Sequence, residues 1–231
     1  MSGKKRKEPL DSVLSVLFSV ALCLLILTFS IGLPIYCRPF YYAHIGPLDL
    51  AADTGYSETE IKTAFDELLD YLTLPNREFK TGIMAFSESG KAHFDDCKTL
   101  FGLNTTVFIL SLVTVVTILV FKKRAQVTSL RFCRIHACTI SGILSLLLPL
   151  AVGAFAFFDF ERAFMVFHNV FFPHKDNWMF DPITDEIIEV LPVIFFRNCA
   201  IFIGVSIVVL SVLSIVLGLK IARKSNGCED S

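Results

Sequence analysis

Four stretches of this chain are apolar almost without interruption, and polar segments of unequal length separate them. They run from Val13 to Pro34, Thr105 to Phe121, Cys138 to Phe158 and Phe196 to Leu219, and none carries a charge in its interior. About 20 residues of helix cover a hydrocarbon core of ~30 Å, so each stretch is long enough to span a bilayer. A backbone in lipid must satisfy its own polar groups, which predicts four α-helices. The expected fold is an all-α membrane protein, a single domain over 1–231, with polar loops at 35–104 and 159–195.

Neither long loop reads as structureless. Ser57 and Glu60 have the spacing of a capping box, and Ile61, Phe65, Leu68, Leu69 and Leu72 then repeat at helical spacing until Pro75. A second helix is expected from Ser89 to Phe101. Its apolar stripe of Phe94, Cys97 and Phe101 suits a lipid–water interface. The later loop carries Phe164, Phe167, His168, Phe171 and Phe172 at helical spacing, closed by Pro173. Asp181-Pro182 then opens an expected short helix over Ile183–Leu191. These short amphipathic segments are expected to lie in the interface.

Charge sets the orientation. Lys4, Lys5, Arg6 and Lys7 precede the first span. Lys122, Lys123, Arg124, Arg131 and Arg134 join the second to the third, and Lys220, Arg223 and Lys224 follow the fourth. By contrast, Tyr36–Asn104 holds 11 acids against 6 bases, and Asp159–Arg197 holds 7 against 3. Cytoplasmic loops carry the Lys/Arg excess, so both termini are expected inside and both long loops outside. The net charge of −1 conceals this asymmetry and gives no reason to expect a nucleic-acid partner. Membrane lipids are the expected neighbours of the basic loops.

Composition agrees: 54% of residues are hydrophobic, 23 of them Phe, and mean hydropathy is +0.63. The first span is too long for a signal-peptide core and no small-x-small site follows it, so it reads as an uncleaved anchor. The seven cysteines lack paired metal spacing. Cys23, Cys133, Cys138, Cys199 and Cys228 read as apolar thiols in or near the membrane or cytoplasm. Cys37 and Cys97 both fall on the outer side, where a disulfide between them is one option.

If the two middle spans form a hairpin, His93 and His168 return to one side of the bilayer. Each lies in a polar stretch just outside a span. An imidazole exchanges protons near neutral pH, which suits acid–base chemistry on a lipid-like substrate. His93 is expected as general base, with Asp96 three residues on as its orienter. His168 is expected as an acid or an oxyanion partner. Glu88, Lys98, Arg162, Trp178 and Asp181 are candidates for binding or positioning substrate, though Asp181 also suits a helix cap. The bland alternatives are a solvated His93 and a buried His168 bonded to backbone.

Other chemistries are less well served. A metal-dependent outer-face hydrolase would need His93, Cys97 and His168 as zinc ligands, without an HExxH or CxxC anchor. No GxSxG elbow supports a serine hydrolase, and no charge at mid-span supports a transporter. A non-catalytic membrane scaffold remains the third class.

Two runs carry a family resemblance. One comprises Tyr71-Leu72 through Phe86-Ser87, Gly90, His93-Phe94, Asp96, Lys98 and Leu100-Phe101. The other comprises Phe167-His168 through Phe171-Phe172, Trp178, Phe180-Asp181-Pro182, Asp185, Ile187-Ile188, Leu191-Pro192 and Phe195-Phe196. Both resemble the motifs of a bacterial four-span membrane family whose characterised members are lipoprotein intramolecular transacylases. Cys97 stands where the family pattern has an aliphatic residue, and Val193-Ile194 lacks an acidic residue seen there. The resemblance implies an acyltransferase of the bacterial cell membrane acting on lipoproteins that carry a diacylglyceryl cysteine. The sn-2 acyl chain would move to the α-amino group of that cysteine, giving the lyso form. The reaction implies no cofactor, because an ester converts downhill to an amide, and the site would face outward.

Overall fold

The computed structural model describes residues 7–124, 130–132 and 135–226. Lys4, Lys5, Arg6, Cys133, Arg134 and Cys228, singled out above, lie outside the described residues. Eight α-helices are described: α1 (Lys7–Tyr36), α2 (Arg38–Ile45), α3 (Leu50–Thr54), α4 (Glu58–Thr73), α5 (Glu88–Arg124), α6 (Ala137–Phe158), α7 (Phe160–Phe171) and α8 (Val193–Asn226). Strands β1 (Arg131–Phe132) and β2 (Ile135–His136) pair antiparallel before α6, with Arg131 opposite His136. Four helices, α1, α5, α6 and α8, are long and apolar enough to cross a membrane, with mean hydropathies of 2.2 to 2.9 over their most apolar windows.

The chain divides into two compact units. Residues 1–30, 105–151 and 204–231 make up the first; residues 31–104 and 152–203 make up the second. Small residues govern the first unit. A β-carbon at Gly142 would stand 2.6 Å from the Ser211 carbonyl, and one at Gly218 would stand 2.7 Å from the Thr139 backbone nitrogen. Helices α6 and α8 therefore touch backbone to backbone, the arrangement that small residues permit in lipid. Ser141 Oγ lies 3.1 Å from Ser214 Oγ across this seam. Ser19 on α1 donates to the Ala137 carbonyl at 3.2 Å. Leu110, Leu147 and Leu213 point outward, as lipid-facing residues do.

The second unit has a conventional core. Helix α4 buries Ile61, Ala64, Phe65, Leu68, Leu69 and Leu72 on one face. Ser57 caps it: the hydroxyl accepts from Glu60 N–H at 3.3 Å, and Glu60 accepts from Ser57 N–H at 2.8 Å. Tyr41 of α2 stacks on Phe65 at 3.7 Å and donates its hydroxyl to the Val190 carbonyl at 2.8 Å. Arg38 ties α2 to α4 by ion pairs with Asp66, at 2.6 Å, and with Asp70. The sequence gives no periodic signal strong enough to announce α2 or α3.

Two expectations are corrected. The helix expected at Ser89–Phe101 and the span beginning at Thr105 are one continuous helix, α5, because Gly102-Leu103-Asn104 does not interrupt the ladder. Phe94 of its stripe is buried against Phe79 and Phe180. The helix expected over Ile183–Leu191 shrinks to a single 3-10 turn, Glu186–Ile188. Backbone bonds there leave the local ladder: Glu186 N–H donates to the Ala85 carbonyl at 3.1 Å.

Candidate functional site

The start of α5 sets the geometry of the site. Ser87 is its cap: the hydroxyl accepts from Gly90 N–H at 2.9 Å. Asp185, from the segment before α8, is 3% exposed and holds that cap in turn. It accepts from Ser87 N–H and Ser87 Oγ–H, each at 2.8 Å, and from Thr184 Oγ–H at 3.0 Å. A β-carbon at position 90 would fall 2.1 Å from Asp185 Oδ1, so only glycine admits this approach. Asp185 thereby fixes the first turn of α5, and His93 follows one turn later, ahead of the apolar stretch that begins at Thr105.

His168 reaches the same place from α7. Asp159 caps that helix by accepting from Arg162 N–H at 2.9 Å, and the α-helical ladder stops at Phe171, before Pro173. The imidazoles of His93 and His168 lie 5.7 Å apart between centroids, inclined by 32°. They are 5% and 6% exposed. Phe172 stands edge-on to His93 at 4.8 Å, and Trp178 stacks on His168 at 4.6 Å. Both rings line a cavity of about 710 Å³. Its other walls are mostly apolar, including Leu68, Leu100, Phe101, Phe164, Phe196 and Ile203. Glu189 is its one carboxylate among the described residues.

The nitrogens of the two rings differ. His168 Nδ1 lies 2.8 Å from the Phe164 carbonyl. A carbonyl only accepts, so this nitrogen carries the proton and Nε2 presents a lone pair. His93 Nε2 lies 3.4 Å from Cys97 Sγ, and His93 Nδ1 is buried without a partner. Burial lowers the His93 pKa to about 4, and the electrostatic effect of His168 adds to this. Burial also lowers that of His168, against the raising effect of the Phe164 carbonyl. Both rings are neutral at pH 7. The Cys97 thiol is pushed up to about 12 by burial and stays protonated. When the thiol donates to His93 Nε2, the ring proton sits on Nδ1, which is buried without a partner.

The remaining sequence candidates separate. Trp178 lines the cavity. Asp96 accepts from Lys175 Nζ at 2.6 Å and from Asn177 Nδ2 at 3.3 Å; its effect on His93 is electrostatic. Lys98 places its ammonium 3.9 Å from the centre of the Tyr71 ring. Asp181 accepts from Ile183 N–H at 3.0 Å. Glu88 and Arg162 are exposed and outside the cavity lining. Cys37 and Cys97 are both free thiols. Among the described residues, no group of three His, Cys, Asp or Glu side chains gathers at metal-binding distance. The sequence reading missed Asp185 as a structural anchor, Glu189 and Lys175. Asp185 belongs to the second motif, and its burial shows only in three dimensions.

A multi-span helical membrane protein with two neutral imidazoles buried in an apolar cavity is the class that these observations define. The family model described as "Lipoprotein intramolecular transacylase Lit" matches residues 16–196, and the chain belongs to that family. A solved structure of the membrane integral lipoprotein intramolecular transacylase Lit from Bacillus cereus is similar, with a TM-score of 0.84 at 24% identity. The match covers 95% of this chain and 99% of that one. A second structure of that protein, with a histidine replaced by arginine, gives a TM-score of 0.80 at 23% identity over 98% and 100% of the two chains. At these identities the likeness speaks to the fold. A relative from Aquifex aeolicus (strain VF5), described as an uncharacterized protein, is 25% identical over 141 residues, 61% of this chain. That match spans 59% of the relative's length.

Proposed function

We propose that this protein moves the sn-2 acyl chain of a diacylglyceryl lipoprotein to the α-amino group of its N-terminal cysteine. The observation that carries this reading is the pair of buried imidazoles sharing one mostly apolar cavity. Amine and ester belong to one substrate molecule, so the protein has only to hold them in contact and manage protons. Family membership supports the same reaction.

The ring tautomers suggest roles opposite to those expected from sequence. His168 Nε2 takes the proton as the amine attacks the ester carbonyl. His93 Nδ1–H donates a hydrogen bond to the oxygen that becomes negative in the tetrahedral intermediate. Collapse breaks the bond between the acyl carbon and the glyceryl oxygen, which leaves with the proton held by His168. The products are an amide and a free glyceryl hydroxyl. Glu189 attracts the substrate ammonium toward the cavity, and the ammonium releases one proton to solvent before the free amine attacks. Asp96 acts on His93 at a distance and on the loop that carries Trp178.

The chain is read as one integral domain over residues 1–231, with both termini cytoplasmic and the site on the outer face of a bacterial cell membrane. The excess of acids in 36–104 and 159–197 supports that orientation. The short helices α2, α3, α4 and α7 are read as an interfacial collar. Bacterial lipoproteins and membrane lipids are its partners. The test is expression in cells that hold diacyl lipoproteins, followed by fragmentation of a lipoprotein N-terminus in a mass spectrometer. An N-acylated cysteine bearing a monoacylglyceryl thioether, at unchanged total mass, is expected. A free amine at full expression would overturn the reading.

A further inference from the structure

Between α7 and the 3-10 turn, residues 172–181 fold over His168, and their attachment is unusually specific. Trp178 stacks on His168 at 4.6 Å with ring planes inclined by 30°. Its indole N–H donates to the Lys175 carbonyl at 3.1 Å, so the ring is braced by the backbone of Lys175. The Lys175 ammonium crosses to Asp96 on α5 at 2.6 Å, and Asn177 Nδ2 reaches the other oxygen of the same carboxylate at 3.3 Å. His174 turns the segment with a φ of 63°, in the left-handed region. One carboxylate on the helix of His93 therefore holds two points of the loop that packs on His168.

We propose that Lys175, with Asn177, is a positioning residue: its tie to Asp96 fastens the 172–181 segment so that Trp178 holds the His168 ring against His93. The proposal rests on the assignment of His168 as a reacting group. A charge-assisted hydrogen bond is directional, and two bonds to one carboxylate fix the loop more tightly than either alone. A stacked indole then limits rotation of the imidazole, whose Nδ1 is pinned by Phe164. Orientation of this kind contributes to rate through geometry, without contact with the substrate.

Trp178 is the one tryptophan in the chain, so its fluorescence reports this contact directly. A protonated imidazole quenches a stacked indole. Acidification of the purified full-length protein in detergent should quench Trp178 as His168 takes a proton. The groups facing that ring pair are His93, the Phe164 carbonyl and, through the loop, Lys175 and Asp96. In Lys175→Met and Asn177→Ala, acid quenching should weaken and acrylamide should reach the indole more readily. In the acyl-transfer assay, kcat should fall on the order of tenfold. The exchange Asp96→Lys with Lys175→Asp should restore shielding that either change alone removes. His168→Ala should abolish acid quenching and serves as the reference. If Lys175→Met leaves both acrylamide access and acid quenching as in the parent, the proposal is overturned. These optical readings do not depend on the substrate. Failure of the transacylase assignment would abolish product in every variant and leave the optical contrast intact.

Discussion

The imidazole of His93 lies 5.7 Å from that of His168, and neither ring forms a hydrogen bond to a carboxylate among the described residues. Most acid–base histidines are steered by an acidic neighbour. Here a backbone carbonyl steers one ring, a thiol touches the other, and burial keeps both uncharged. Replacing either imidazole by Ala should lower acyl transfer by roughly 10²- to 10⁴-fold, the usual share of a positioned proton carrier. Rates from the lipoprotein mass-spectrometric assay would decide this, with thermal unfolding as the control for folding.

Neutral buried histidines impose a pH dependence with a definite sign. Folded His93 titrates near 4, below the ordinary value of 6.5. The unfolded chain therefore binds the proton more readily, and stability rises with pH across that interval. Full stability from this group is present above about pH 6.5, and it is lost as pH falls toward 4. His168 shifts in the same direction. Thermal midpoints measured between pH 7.5 and 4 should fall steadily, and His93→Gln should flatten the slope.

Glu189 should act on binding more than on chemistry. It is the carboxylate of the cavity lining, and the proposed substrate presents an ammonium. Glu189→Gln is expected to raise KM several-fold, because the charge acts on the ammonium that binds and not on the neutral amine that attacks. A fall in kcat at unchanged KM would contradict this placement.

Gly90→Ala should be among the most damaging small substitutions. The added carbon would meet the buried Asp185 carboxylate at 2.1 Å and Phe180 at 3.0 Å. Overpacking of this kind costs about 1–3 kcal/mol, and here it also displaces the cap of the helix that carries His93. Both the thermal midpoint and kcat should drop. Asp185→Ala, which leaves the Ser87 N–H and hydroxyl proton without their acceptor, should lower the midpoint by a similar amount.

The seam between α6 and α8 offers a contrast remote in sequence from those residues. Gly218→Val would press side-chain carbons into Thr139, whose backbone nitrogen lies 2.7 Å from the first of them. A loss of stability on the order of 1–3 kcal/mol is expected. Detergent melts would register it.

Much of this arrangement is legible in the sequence, for reasons that differ by element. The four apolar runs are unmistakable because a span needs length and an absence of charge, both visible locally. The Ser57–Glu60 cap and the breaking of α7 before Pro173 are visible too, since each depends on residues within one turn. The continuity of α5 is hidden by Gly102 and Asn104, which weaken local propensity that the surrounding helix overrides. The site is split in the same way. His93 and His168 stand out as titratable residues beside spans. The bond from Asp96 to Lys175 joins positions 79 apart, and the bond from Ser87 to Asp185 joins positions 98 apart. No spacing rule reaches that far, so the partner of Asp96 and the weight of Asp185 emerge only in three dimensions.

The anchoring of α5 by Asp185 sets a timetable for biogenesis. A ribosome releases Ser87, Gly90 and His93 long before it makes residue 185. Until that carboxylate arrives, the first turn of α5 lacks the acceptor that secures it. The first turn of α5 is thus completed only after the spans α1, α5 and α6 have been made, and a product truncated before residue 185 lacks the anchor that places His93.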